Sequence, residues 1–419
     1  MPAYAKPEAS VKSSAVREEN PKGVKEVLVL PYIFATDSLG ATVGVGGGMK
    51  GYGQDQLLVG ATVFASSDDA VAGALGVWDF LVPGFDRLFF TFVGSAGHYP
   101  RSRAYSSVAY EPGIPPAGSN DSDKNDYVEA SGWDNWTDFK LEYTLPLGAA
   151  KNKGLVDYHL KHGMLVSPPS GGKTWNPLTS GVSVLMLRQF NRYLTFEEDV
   201  GEIEGAVHPL QLGVLYDNTD FPANPSFGSS QYLAVTHDFA WLESDQTWTF
   251  LEAEASKYFS LGPSKLARQR VAAFNFWTGS APTWEAETLD NGYFKINHRP
   301  PYFEGARLGG FYRMRAYPSN RFNDRSVIYT SAEYRYTPEW NPLGSVAWLR
   351  FLAMDWWQFV AFIEGGRVAN TYSVAELTQD WKLDVGGSVR AMVSGGIIRV
   401  CAAFSAEGSS VWVMVGHPF

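Results

Sequence analysis

The chain has 419 residues, 45% hydrophobic and 15% aromatic, with a formal net charge of -10. That balance argues against a nucleic-acid partner, whose phosphates need basic patches, and no run of ~18 apolar residues exists to form a transmembrane helix. Such a chain can enter a bilayer only as a closed sheet with every backbone donor and acceptor paired between strands.

Taken from the start, Ala3-Tyr4-Ala5 followed by Lys6 looks like the end of a signal peptide lacking its charged and apolar regions, or a chance small-residue tail. Residues 1–26 are polar and read as a disordered periplasmic tail. The run Val27 to Ala35 contains Pro31, so 27–38 is read as a lead-in segment before a barrel spanning 39–419. Period-two runs then recur at about 39–50, 56–66, 70–82, 87–99, 135–146, 155–167, 180–194, 207–217, 229–242, 246–259, 266–278, 324–337, 356–368, 381–394, 396–406 and 410–419. The predicted fold is an all-β transmembrane antiparallel barrel of about sixteen strands, its 14 Trp and 21 Tyr suited to interfacial girdles.

Two connections, Pro100 to Trp133 and Gly279 to Asn323, are far too long for turns, and loops of that length are usually functional or disordered. Within the first, Asn120 to Asp126 has oxygen donors at calcium-like spacing but lacks the glycine and closing glutamate of an EF-hand loop. Gly171-Gly172-Lys173-Thr174 resembles the end of a phosphate loop, yet Ser167 stands where the first glycine belongs, so it reads as a turn. His159 and His162 fall on opposite strand faces. No metal, cofactor or catalytic set is expected, since the seven histidines are scattered and no G-x-S-x-G elbow occurs.

Alternation sorts lumen from lipid. Lys382, Asp384, Ser388 and Arg390 share one parity against Trp381, Leu383, Val385 and Val389, and Glu252 and Glu254 point inward together. The single cysteine, Cys401, shares parity with Arg399, which predicts an unpaired, lumenal thiol. The last strand is read to Phe419, with Val411, Val413, Val415, His417 and Phe419 on one face, as bacterial outer-membrane barrels close.

A set of ordered blocks carries a family resemblance. Gly309-Gly310-Phe311-Tyr312-Arg313-Met314-Arg315-Ala316-Tyr317 precedes a strand containing Glu333-Tyr334-Arg335. Tyr216-Asp217-Asn218-Thr219-Asp220, Phe362-Ile363-Glu364-Gly365-Gly366 and the closing Gly416-His417-Pro418-Phe419 complete the set. Together they resemble the BamA-type bacterial surface antigen superfamily of barrel-assembly and two-partner-secretion transporters, in a barrel-only form without POTRA domains. Three positions depart from its pattern: Ala316 replaces a glycine, Thr219 an arginine and Glu364 an aspartate.

The resemblance implies an extracellular loop folded into the lumen, with Arg315 paired to Glu364, which shares its strand parity with Phe362 and Gly366. It implies insertion, assembly or translocation of proteins at the outer membrane, beside a separate periplasmic or envelope partner. A structural anchor and a passive pore are the alternatives. The seam is placed between Gly44, Gly46, Gly47 and Gly48 and Gly416, Pro418 and Phe419, where few side chains pack and one amide donor is missing. A weak seam there is the expected lateral gate, though such glycines also simply accommodate curvature or bulky neighbours.

Overall fold

The computed structural model describes residues 8–18, 25–36, 39–198, 203, 205–341, 346, 354–393 and 396–419. Sixteen strands form the wall: β1 Glu26–Thr36, β2 Gly40–Lys50, β3 Leu58–Ser66, β4 Val71–Leu81, β5 Leu88–Ala104, β6 Val128–Thr144, β7 Val182–Phe196 and β8 Leu210–Thr219. The second half comprises β9 Gly228–Phe239, β10 Thr247–Ser260, β11 Ala267–Ser280, β12 Ser326–Pro338, β13 Met354–Ala369, β14 Lys382–Val393, β15 Gly396–Ser405 and β16 Ser409–Val415. Each strand pairs antiparallel with the next. Both ends of the wall sequence, the start of β1 and the end of β16, therefore lie at one rim.

The wall is built on period two. Val27, Val29 and Ile33 on β1, Phe359 and Ile363 on β13, and Leu383, Val385 and Val389 on β14 project outward. Their alternates Gln358, Glu364, Asp384, Ser388 and Arg390 are buried inside. An apolar exterior around a charged interior would be untenable in water but is what hydrocarbon requires, so the molecule is a transmembrane barrel of the outer-membrane type. No helix among the described residues is long and apolar enough to cross a membrane; the strands do so.

The strand total agrees with the sequence reading although two assignments change places. Val27 to Ala35 is not a lead-in: it belongs to β1, laddered to β2 from Glu26↔Lys50 to Thr36↔Gly40. Pro31 is tolerated because the opposite edge of β1 faces the seam, where no ladder needs its missing N–H. Conversely, residues 155–167 do not enter the wall. Val156–Lys161 and Met164–Leu165 form a small sheet at the terminal rim with Ser13–Arg17, inside a third long connection between β6 and β7. Of the expected tail, the described residues 8–18 are not free, since Ala9, Lys12 and Ser14 are buried.

The opposite rim is closed by the two long connections. Phe294 bridges to Tyr110, and the Asn323 N–H donates to the Gly118 carbonyl at 2.7 Å. Arg321 donates to Ser122 and pairs with Glu407 at 2.8 Å. The calcium-like stretch serves this closure: Asn120 donates to the Asp380 carbonyl, and Asp123 and Asp126 cap turns of their own loop.

Candidate functional site

From β11 the chain turns back into the lumen and carries Gly309–Tyr317 down to the wall. Two glycines make this path possible. Gly309 has φ +107°, and a β-carbon there would stand 2.1 Å from the Pro318 carbonyl oxygen; Gly310 has φ +113°. Met314 takes the left-handed conformation at φ 57°. Ala316 is outside that region, so a methyl where the family pattern has glycine imposes no backbone strain.

Arg315 sits at the tip, wholly buried. Its Nε lies 3.0 Å from Glu364 Oε1, its own N–H donates to Glu364 Oε2 at 2.8 Å, and its guanidinium covers the Phe362 ring at 3.5 Å. Tyr329 donates its hydroxyl to Glu364 Oε1 at 2.5 Å. The next amide, Ala316 N–H, donates to Asp384 Oδ2 at 2.8 Å. Tyr317 donates to the Leu383 carbonyl, and Trp412 Nε1 donates to the Arg315 carbonyl at 2.8 Å. The tip is thus held by β12, β13, β14 and β16 at once. Arg313 makes a second anchor on the adjoining strands β10 and β11, paired with Glu254 at 2.7 Å and lying 3.7 Å from the Trp277 ring centre.

Glu333 gathers three guanidinium groups. Arg390 reaches its Oε1 at 2.7 Å, Arg315 the same oxygen at 3.3 Å, and Arg335 its Oε2 at 2.9 Å. Arg399, opposite Arg390 across the β14–β15 ladder, donates to the Phe311 carbonyl at 2.9 Å. Like charges facing each other across strands are unfavourable, and each of these two is relieved by a different acceptor. Cys401 lies on this lumenal side, 1% exposed, with its sulfur 3.8 Å from Arg315 Nη1. Gly366 passes beneath the loop, where a β-carbon would meet Leu308 at 2.9 Å.

The chain's end departs from the expected strand. β16 stops at Val415, Gly416 turns at φ 85°, and the last residues enter the lumen instead of facing lipid. Arg390 Nη1 donates to His417 Nδ1 at 2.8 Å, while Phe419 packs against Arg335 and Tyr258. Burial, with Arg335 and Arg390 beside it, holds the His417 imidazole well below its ordinary range.

The seam is also displaced. Gly44, Gly46, Gly47 and Gly48 lie on β2, laddered on both sides; Tyr32 covers Gly44, where a β-carbon would stand 2.4 Å from its ring, and Val29 crowds Gly47. Gly44 and Gly47 thus accommodate bulky neighbours, while Gly48 faces the backbone of Val59 and Gly60. The strands that meet are β1 and β16, and among the described residues no backbone hydrogen bond or ladder joins them, though they lie side by side.

A cavity of about 450 Å³ remains in the lumen. It is bounded by the inward loop around Gly309–Arg313, by Arg188, Gln211 and Glu252 of the wall, by Ser409–Trp412 next to the seam, and by Glu8 of the N-terminal segment. The partners Tyr329 and Trp412, and the Arg313–Glu254 anchor, were not legible as contacts: parity shows which residues face inward, but not which of them the loop reaches.

In the turn at the β8–β9 rim both aspartates are satisfied locally. Asp217 accepts from the Thr219 amide and hydroxyl, Asp220 from Ser226 and Phe227. Asn218 receives the Gly172 N–H and donates to the Thr174 carbonyl, which explains the Gly171–Thr174 turn as a docking piece.

No protein-family model matches the chain, and no curated protein matches it significantly. Among solved structures it is similar to BamA from Haemophilus ducreyi lacking POTRA domains 1–3, at 12% identity and TM-score 0.45, over 94% of this chain and 70% of that one. It is also similar to CdiB from Acinetobacter baumannii, at 12% identity and TM-score 0.47, over 93% of this chain and 58% of that one. The chain therefore spans less than two thirds of the CdiB chain.

Proposed function

We propose that this barrel inserts or translocates polypeptide at the bacterial outer membrane, without hydrolysis or cofactor, and beside a separate periplasmic partner. The observation that carries the reading is the seam. Every other pair of neighbouring strands is held by a ladder, so β1 and β16 form the one place, among the described residues, where the wall can part without breaking one. Unpaired strand edges are templates for another strand, and a polypeptide is the ligand that such an edge recognises. The inturned Gly416–Phe419 supports the reading, because it shortens β16 and leaves the adjoining edge of β1 without a partner at that rim. The ordered motif blocks supply the client class.

The test is a set of cysteine pairs across Glu26–Thr36 and Ser409–Val415 in a Cys401→Ser background. Oxidation is expected to abolish support of outer-membrane protein levels in cells depleted of the native protein, and reduction to restore it. Full support by the oxidised protein would favour the structural-anchor alternative. A steady conductance in planar bilayers, unchanged by oxidation, would favour a passive pore.

A further inference from the structure

One piece of the chain occupies the lumen mouth on the terminal side without belonging to the wall. Residues 8–17 run from Glu8, at the cavity, to Arg17, which pairs with Glu26 at 3.2 Å and Asp355 at 3.3 Å on the rim. The groove they occupy has distinct features along its length. Lys140 holds the Glu8 carboxylate at 2.5 Å. Ala150, Val182, Met186 and Leu215 make an apolar saddle under Ala9. Glu142 accepts the Ser10 N–H at 2.8 Å and, with Asp79, encloses the buried Lys12 ammonium at 2.5 and 2.6 Å. Asp79 reaches in because the β4–β5 register breaks between Val77 and Phe80, and a bulge re-aims a side chain. Finally the edge of Val156–Lys161 takes Ser13–Arg17 as a parallel strand.

We propose that this groove is a peptide-binding site, occupied here in cis, whose second ligand is an extended segment of another polypeptide with a carboxylate, a small residue next to it and an ammonium four positions beyond the carboxylate. The inference rests on the reading that the barrel handles polypeptide, and it names where a client segment is held. The charged part of the groove does not depend on its present occupant: Lys140, Asp79 and Glu142 stand on β6 and β4, which are fixed by their own ladders. A segment without the ammonium would leave the buried Glu142 and the Asp79 beside it without the cation they enclose, so the wall selects by charge pattern as well as by backbone pairing. The cis segment acts at the high effective concentration that a short tether confers, and a client displaces it only by matching the same contacts.

The experiment uses the full chain carrying Glu8→Lys and Lys12→Glu, which sets like charges against Lys140 and against Asp79 with Glu142. Trypsin cleavage after Arg17 reads release of the segment, and resistance of the unheated barrel to dodecyl sulfate reads the wall. A labelled peptide with the sequence of residues 8–17 is expected to bind the released chain at least tenfold more tightly than the unaltered one. The same peptide with its own two charges reversed is expected not to bind. Lys12→Gln gives the same comparison with a smaller change should the double variant fail to assemble. Protection of Arg17 in the charge-reversed chain, equal peptide binding to both chains, or no binding once Arg17 is cleaved would each overturn the proposal. Peptide binding is measured on purified protein, so a chain that binds peptide yet does not support outer-membrane protein levels refutes the functional reading alone.

Discussion

Glu364→Ala is the sharpest perturbation of the inward loop. In the intact protein Glu364 accepts from Arg315 N at 2.8 Å, Arg315 Nε at 3.0 Å and Tyr329 at 2.5 Å, and both members of the ion pair are fully buried. Without it, the one carboxylate left to the Arg315 guanidinium among the described residues is Glu333, at 3.3 Å through an Oε1 that Arg390 already takes at 2.7 Å. Breaking one partner from a buried pair costs about 3–5 kcal/mol, because the remaining charge is stranded. At about 1.4 kcal/mol per tenfold, local opening of the loop should rise by roughly two to four powers of ten. The loop adds no strand to the wall, so global unfolding should change far less. Hydrogen exchange at the Ala316 amide, whose acceptor Asp384 the substitution leaves in place, reports the opening directly. A double variant with Arg315→Leu should lose less than the sum of the two single losses. Less than a tenfold rise in exchange, or strict additivity in the double variant, would falsify the clamp.

Other expected outcomes follow from the same contacts. A membrane-impermeant thiol reagent should label Cys401 slowly in the intact barrel, where it is 1% exposed beneath Arg315, and much faster in the Glu364→Ala chain; equal rates would show that the loop does not shield it. Gly309→Ala, which sets a methyl 2.1 Å from the Pro318 carbonyl at φ +107°, should cost at least about 1–3 kcal/mol of loop docking by the same exchange measurement. The inturned C-terminus should be pH-sensitive. The folded-state pKa of His417 is depressed by burial and by Arg335 and Arg390, so the released tail binds a proton more readily. Docking is therefore full above the ordinary histidine pKa of about 6.5 and is lost progressively as pH falls below it. Carboxypeptidase trimming should quicken from pH 7.5 to pH 5, and His417→Gln should flatten that dependence.

Parity made the wall legible, because a lipid face and a wet face leave every second residue no choice: Asp384, Arg390 and Arg399 all fall inside as alternation predicts. It did not say which sheet a strand joins. Tyr158 and Leu160 alternate with exposed neighbours as wall residues do, but they pack on Phe221 at the rim. Pro31 misled in the opposite sense, since a proline rules out an interior strand and not one bordering a seam. The Arg315–Glu364 contact came from a motif resemblance joined to strand parity. The burial of Lys12 left no trace in the sequence, for its partners Asp79 and Glu142 are distant in the chain and converge only when β4 and β6 are rolled into place.

The holders of the lumenal pieces also constrain the order of assembly. Arg315 is gripped by Trp412, and the N-terminal segment by Asp79, Glu142 and, through Arg17, Asp355. These are contacts of large sequence separation, which form late because loop closure must precede them. A closed cylinder would have to admit the loop and the segment end-on, past the rims that they themselves cover. A sheet that grows hairpin by hairpin and curls around both pieces meets no such obstacle, so the contents of the lumen serve as the mandrel on which its wall is wound.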